Sequence, residues 1–188
     1  MRSSRVLAPA LLCFLAAPSV SADVLLERIL AVVEGRPVLL SEVRLLQAVR
    51  GLSQKAALEE LIDERLMLRE AGRLAQSAVL PEEEERALAL LRDSSPPARA
   101  ASPAELRRLV RRQTAIVKYI DFRFRPQVSV SDADVRRAYD ARYGGDPGAP
   151  PLEGEAAALR EALSQKALDE RIEAWVAELR AGAAIRYN

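Results

Sequence analysis

Four consecutive carboxylates, Glu82, Glu83, Glu84 and Glu85, and the four arginines Arg107, Arg108, Arg111 and Arg112 are the densest groups of charged side chains in this sequence. Paired carboxylates carry out acid–base chemistry where a pocket moves their pKa values apart. Acids placed directly after Pro81, however, stand at a helix start and answer the positive end of its dipole. The arginines would suit an acidic or nucleic-acid partner in a strongly basic chain, but here 28 Lys and Arg stand against 27 Asp and Glu. A solvated charged helix face is the expectation for both groups, and no nucleic-acid partner is expected.

Composition removes most other chemistries. The chain has no histidine, and its single cysteine, Cys13, lies in an apolar leader. Beyond that leader, zinc sites of the usual kind, Ser-His and Cys-His pairs and imidazole acid–base groups are excluded. No catalytic residue, metal site or cofactor is expected. Residues 1–22 read as a signal peptide: Arg2 and Arg5 give a basic start, 6–20 is mostly apolar, and Val20-Ser21-Ala22 supplies small residues for cleavage. Losing Arg2 and Arg5 with no acid takes the formal charge from +1 to −1. A membrane span requires roughly 20 apolar residues, and no segment after the leader approaches that. An exported, soluble chain with one domain over residues 23–188 is expected.

The remaining candidates for binding are aromatic. On a helix opened by Ser102 and Pro103, Leu106, Leu109, Val110, Gln113, Ile116, Val117, Ile120 and Phe124 share an apolar face. Tyr119 and Phe122 fall on the other side, among Arg107, Arg108, Arg111 and Lys118. As an exposed pair beside cations they suit the capture of apolar segments of unfolded chains; as a packed pair they sit under the C-terminal helix. Trp175 offers the largest apolar area in that helix. Tyr119, Phe122, Phe124 and Trp175 are the peptide-binding candidates.

The elements that must position them are well punctuated. Residues 29–33 and 37–40 are short β-branched or apolar runs around Glu34-Gly35-Arg36, a hairpin signal in which Gly35 supplies the positive φ of a tight turn. Pro37 has no N–H and belongs on an edge. Ser41 is expected to cap a helix to about Val49, and Ser53 a longer one whose apolar residues surround most of its circumference, as in a central helix. A helix from Pro81 to about Arg92 follows, then a Pro/Ser/Ala loop over 93–101. Ser102 and Glu105 read as a capping box, as do Ser131 and Asp134 before a helix to about Tyr143. Residues 144–151, GGDPGAPP, are a linker, and the last helix runs from about Leu152 to Ala181.

In that last helix Leu159, Ala162 and Leu163 lie nearly opposite Leu168, Ile172, Trp175, Val176 and Leu179. Either it bends near residues 164–166 or its halves face different partners. A two-stranded ribbon is marginal alone, so the tail strand at 185–187 is expected to complete a three-stranded patch with the hairpin. The fold class is therefore mainly α, with a small β patch made by an N-terminal hairpin and the C-terminal strand.

The segments ILAVVEGRPVLLSEV, ALEELIDERLMLREAGRL, VSVSDADVRRAYD and ALDERIEAWVAELRAGAAIRY, in this order after a signal peptide, resemble the SurA family of periplasmic chaperones. The likeness is to the N-terminal chaperone module together with the C-terminal helix and strand that complete it. It implies an ATP-independent periplasmic chaperone whose partners are unfolded polypeptides, outer-membrane protein precursors among them. In that family one or two parvulin prolyl isomerase domains sit where this chain has only the linker 144–151, too short for a domain. The alternatives are an exported helical interaction module with one dedicated partner and, in the enzyme class, a prolyl isomerase.

Overall fold

A computed structural model describes residues 27–188; the expected signal peptide lies outside them. Strands β1 (Ile29–Val33) and β2 (Arg36–Leu39) form an antiparallel hairpin closed by Glu34 and Gly35. Both turn residues have positive φ, 50° and 76°. That pair of conformations twists the turn with the strands, the geometry of a type I′ hairpin. The C-terminal strand β3 (Ile185–Tyr187) lies on the other side of β1, giving the order β2-β1-β3. Val32 faces Pro37 on one side and Arg186 on the other. Pro37 is thus on an edge strand, where its missing N–H costs no ladder bond.

Seven helices account for most of the rest: α1 (Leu40–Arg50), α2 (Gln54–Ala71), α3 (Pro81–Ser94), α4 (Pro96–Ala100), α5 (Pro103–Arg123), α6 (Asp132–Tyr143) and α7 (Leu152–Ala181). The molecule is mainly α with a small antiparallel β patch. Ser53 caps α2, its Oγ accepting from the Ala56 N–H at 3.2 Å. Ser131 and Asp134 form a reciprocal box at the start of α6. As its all-round apolar pattern predicts, α2 is central, packing on α1, α5, α7 and the sheet. Its Leu61, Ile62 and Leu66 join Ala31, Val33, Val38, Val43, Leu46 and Leu109 in the main core. A second, smaller core joins Leu88, Ala98, Leu106 and Val110.

Three local expectations fail for identifiable reasons. Ser41 is not a cap: the cap position falls two residues earlier, on Leu39, and the Glu42 carboxylate accepts from the Leu39 N–H at 3.2 Å. The Leu40 N–H still bonds to the Arg28 carbonyl at 2.8 Å, so the hairpin ladder runs straight into the helix with no residue left over for a serine cap. Ser102 precedes α5 but makes no side-chain cap bond. The 93–101 stretch is not simply a loop, since Asp93 and Ser94 finish α3 and Pro96–Ala100 forms a short helix. Ala98 of that helix is fully buried, and the Arg99 guanidinium donates to the Arg92 carbonyl at the end of α3. Proline in the first turn and burial of small alanines favour a helix there over a loop.

α7 is one 30-residue helix whose two halves meet different neighbours. Its first half packs on α6, with Leu159 buried, and its second half packs on α2. Arg180 fixes that second contact: it reaches the Asp63 carboxylate, Glu59 Oε2 at 2.9 Å and the Glu59 carbonyl at 3.1 Å. The hydrogen bonds it donates to Asp63 and Glu59 raise its pKa further above the ordinary guanidinium value. The 144–151 linker closes α6 onto α7, with the Tyr139 hydroxyl donating to the Pro150 carbonyl and the Tyr143 hydroxyl to Glu155. No described helix is long and apolar enough to cross a membrane.

Deleting residues 183–188 is expected to destabilise the whole domain rather than fray one end. The deletion removes β3, the packing of Ile185 on the main core and the reciprocal bonds between Glu34 and Ala184. A loss of at least about 2 kcal/mol is expected, as for one or two buried aliphatic side chains. Thermal melting and amide exchange at Ala31 and Val33 check it; unchanged protection there would make the tail a free end.

Candidate functional site

α5 carries Tyr119 and Phe122, with Phe124 directly after its last residue, and its position is set by charge as well as by apolar packing. Glu64 of α2 is 4% exposed and receives the Arg112 guanidinium of α5. Arg112 also approaches Glu42 of α1 at 3.7 Å, and Glu42 in turn receives Arg65. Arg112 is therefore a largely covered tie between three helices, and the solvated face expected for the four arginines does not include it. Arg107 and Arg111 do stand at the surface, where they meet the acids of α3: Arg107 to Glu85 at 2.6 Å and Arg111 to Glu84 at 3.6 Å.

The third rung of this zip is Lys118, 2.7 Å from Glu83 and 2.6 Å from the Ala78 carbonyl. Glu83 also accepts from the Leu80 N–H at 2.9 Å, which caps α3. The ammonium of Lys118 first, and that N–H second, lower the Glu83 pKa below the usual carboxylate value. The acidic run thus serves the helix dipole, as its place after Pro81 predicts, and also pins α3 to α5.

Between those two helices, beyond the ion pairs, lies an open groove of about 380 Å³ lined by Ala87, Leu90, Leu91 and Ser94 of α3 and Val110, Gln113, Thr114 and Val117 of α5. Leu90 is 70% exposed and Val117 53%. Val117 was expected on the packed face of α5. It stays open because the α3 residues that line this space, Ala87, Leu90, Leu91 and Ser94, do not close over it. The signal for Leu90 was available: Leu88 and Leu90 are about 200° apart around a helix, so burying Leu88 turns Leu90 outward.

A second concavity, of about 440 Å³, lies between the C-terminal end of α5 and the second half of α7. Here three of the four aromatic candidates come together. The Tyr119 and Trp175 rings stack, with centroids 5.1 Å apart and planes 17° apart. Phe124, nearly buried, meets Trp175 at 5.0 Å and the edge of Tyr119 at 6.1 Å. Tyr119 therefore packs against the C-terminal helix. Phe122 belongs to neither concavity and is 52% exposed. Arg123, Arg171 and Glu178 stand exposed around the aromatic cleft. No known protein-family model matches this sequence, and no curated protein matches it.

Two outcomes follow from this geometry. Tyr119→Ser should cost about 1–3 kcal/mol, since it removes a half-buried ring stacked on Trp175, while Phe122→Ser should stay within about 0.5 kcal/mol. Chemical denaturation of both variants checks this, and equal losses would mean that Phe122 is packed as well. A carboxylate whose folded pKa is depressed stabilises the fold above its unfolded pKa and loses that contribution as pH falls through the folded value. Stability should accordingly decline below the ordinary glutamate range, and Glu83→Gln should flatten that decline when melting is followed from pH 7 to about pH 3.

Proposed function

We propose that this chain is an ATP-independent periplasmic chaperone of the SurA type, which holds unfolded polypeptides, outer-membrane protein precursors among them, against the groove between α3 and α5. The observation that carries the reading is that groove: a shallow apolar surface on which Leu90 and Val117 are more than half exposed in an otherwise well-packed helical domain. Contiguous exposed apolar surface is uncommon on a protein that binds nothing. The order of hairpin, helices and tail strand, which resembles the chaperone module of that family, supports the same reading, as does the leader.

The physical mechanism is transient burial of client side chains. Each aliphatic or aromatic side chain that leaves water contributes roughly 1.5–3 kcal/mol at most, and ordering a flexible client offsets much of it. Affinity is then modest and spread over interchangeable contacts, so release needs no energy source. An open groove lined mainly by aliphatic side chains, with Ser94, Gln113 and Thr114 as neutral polar groups and no charged one, discriminates little between apolar sequences, which suits breadth over specificity. The domain acts without catalysis: the compact 144–151 linker stands where a prolyl isomerase domain would be inserted in the family.

The test is suppression of aggregation by the purified protein across several unrelated unfolded clients. Leu90→Ser combined with Val117→Ser should raise the concentration needed for half-suppression about fivefold, equivalent to about 1 kcal/mol of lost apolar burial, without lowering the melting temperature. A proline-peptide isomerisation assay on the same preparation should run at the uncatalysed rate. A single stoichiometric folded partner with no suppression of aggregation would replace this reading with that of a dedicated interaction module, and isomerisation clearly above background would replace it with that of an enzyme.

A further inference from the structure

The aromatic cleft differs from the groove in its chemistry. Its walls are Tyr119, Phe124 and Trp175, and three charged side chains stand around it. The cations of α5 that face neighbouring elements are mostly matched: Arg107, Arg111, Arg112 and Lys118 each have a carboxylate. Arg123 and Arg171 have none among the described residues; Arg171 donates instead to the neutral Gln127 side chain. The Glu178 carboxylate likewise has no cation among the described residues. Two unmatched guanidiniums and one unmatched carboxylate thus surround a stacked aromatic floor.

We propose that this cleft binds the C-terminal residue of a polypeptide, taking its apolar side chain on the aromatic floor and its terminal carboxylate on Arg123 and Arg171. Guanidinium groups pair with carboxylates through two parallel N–H donors, which fixes orientation as well as charge. Glu178, on the opposite sign of the same mouth, can accept the backbone N–H groups that lead into the last residue. A cleft of about 440 Å³ suits one or two residues rather than a segment passing through. A chain end also joins an apolar side chain and a carboxylate on one Cα. An internal aspartate or glutamate offers the charge without the apolar body, and an internal aromatic residue the reverse.

This site is separate from the groove between α3 and α5, which lies on nearly the opposite face of α5, since Val117 and Tyr119 are about 200° apart around the helix. It goes beyond the holding function and stands or falls without it. Trp175 is the only tryptophan in the chain and lies in the cleft wall, so the protein carries its own reporter.

The experiment titrates the whole protein with an acetylated pentapeptide ending in phenylalanine, as the free acid and as the C-terminal amide, with free phenylalanine as a third arm. Trp175 emission should change saturably, and the acid should bind at least about tenfold tighter than the amide and than free phenylalanine. Arg123→Gln and Arg171→Gln, both exposed positions, should each weaken the acid form toward the amide while the melting temperature holds. Leu90→Ser with Val117→Ser should leave this titration unchanged even where client holding fails. Equal affinity for acid and amide, free phenylalanine binding as tightly as the peptide, or no saturable change up to about 1 mM each overturns the proposal.

Discussion

The pairing of β1 on both of its edges is the constraint from which the rest of the architecture follows. Ala31 and Val33 are essentially buried, so their backbone groups must find partners within the protein. The hairpin supplies one side; the other is supplied by residues more than 150 positions away in the chain. Glu34 fastens this closure from the turn itself. Its N–H donates to the Ala184 carbonyl at 2.9 Å, its carboxylate accepts the Ala184 N–H at 2.8 Å, and Arg69 of α2 pairs with the same carboxylate at 3.1 Å. Once β3 is in place, the C-terminal end of α7 has nowhere to go but alongside α2, where Arg180 meets Glu59 and Asp63. The wall of the aromatic cleft that Trp175 provides is therefore positioned from the sheet, through α7, and not by the aromatic contacts alone.

The opposite wall is positioned by a buried charge. Glu64 sits on α2 where water barely reaches, and an isolated carboxylate there would be strongly destabilising. Arg112 resolves this, and Glu42 and Arg65 extend the neutralisation to α1. Such a pair adds little net stability compared with apolar residues of the same size. Its effect here is geometric, since Arg112 reaches Glu64 only with α5 at one rotation about its axis. That rotation sends Val110 and Val117 toward α3 and Tyr119 toward α7, so the groove and the cleft are two consequences of one placement.

What the sequence reveals and what it withholds divide along the range of the forces involved. The hairpin, its edge proline and the Ser53 and Ser131 caps rest on residues within a few positions of one another and are found where the sequence places them, save that the second strand is Arg36–Leu39 rather than 37–40; the tail strand is legible only because a lone hairpin needs a partner. Ser41 and Ser102 carry the same kind of local signal and fail: at Ser41 the strand ladder runs directly into the helix, and at Ser102 the exposed hydroxyl makes no cap bond. The fate of Arg112 is invisible locally: on a helical wheel it is one of four similar arginines, and only the arrival of Glu64 separates it. Tyr119 is obscured for the same reason, since its cationic neighbours in the sequence say nothing of Trp175. For α7, opposed apolar clusters do reveal two partners, though Ala162 stays exposed and Trp175 is half covered rather than buried.

The two concavities on α5 also differ in how firmly they are held. The cleft is walled by rings in mutual contact, with Phe124 nearly buried, and a stacked cluster keeps one shape. The groove is bounded by α3, which meets α5 through Leu88 in the second core, with Ala87 and Leu91 beside it, and through ion pairs that run from the part-buried Lys118–Glu83 to the exposed Arg107–Glu85. Exposed pairs of this kind contribute roughly 0–1 kcal/mol each and are screened by salt. Leu88 and its core partners hold α3 in place, but the exposed side chains of Leu90 and Val117 can turn to fit groups of different size, whereas the stacked rings of the cleft cannot. One helix thus presents an adaptable apolar surface on one face and a fixed, charged aromatic one on the other. The first tolerates variety in what it touches. The second can discriminate, because its rings hold one shape and the guanidiniums of Arg123 and Arg171 at its mouth add a preference for negative charge to that shape.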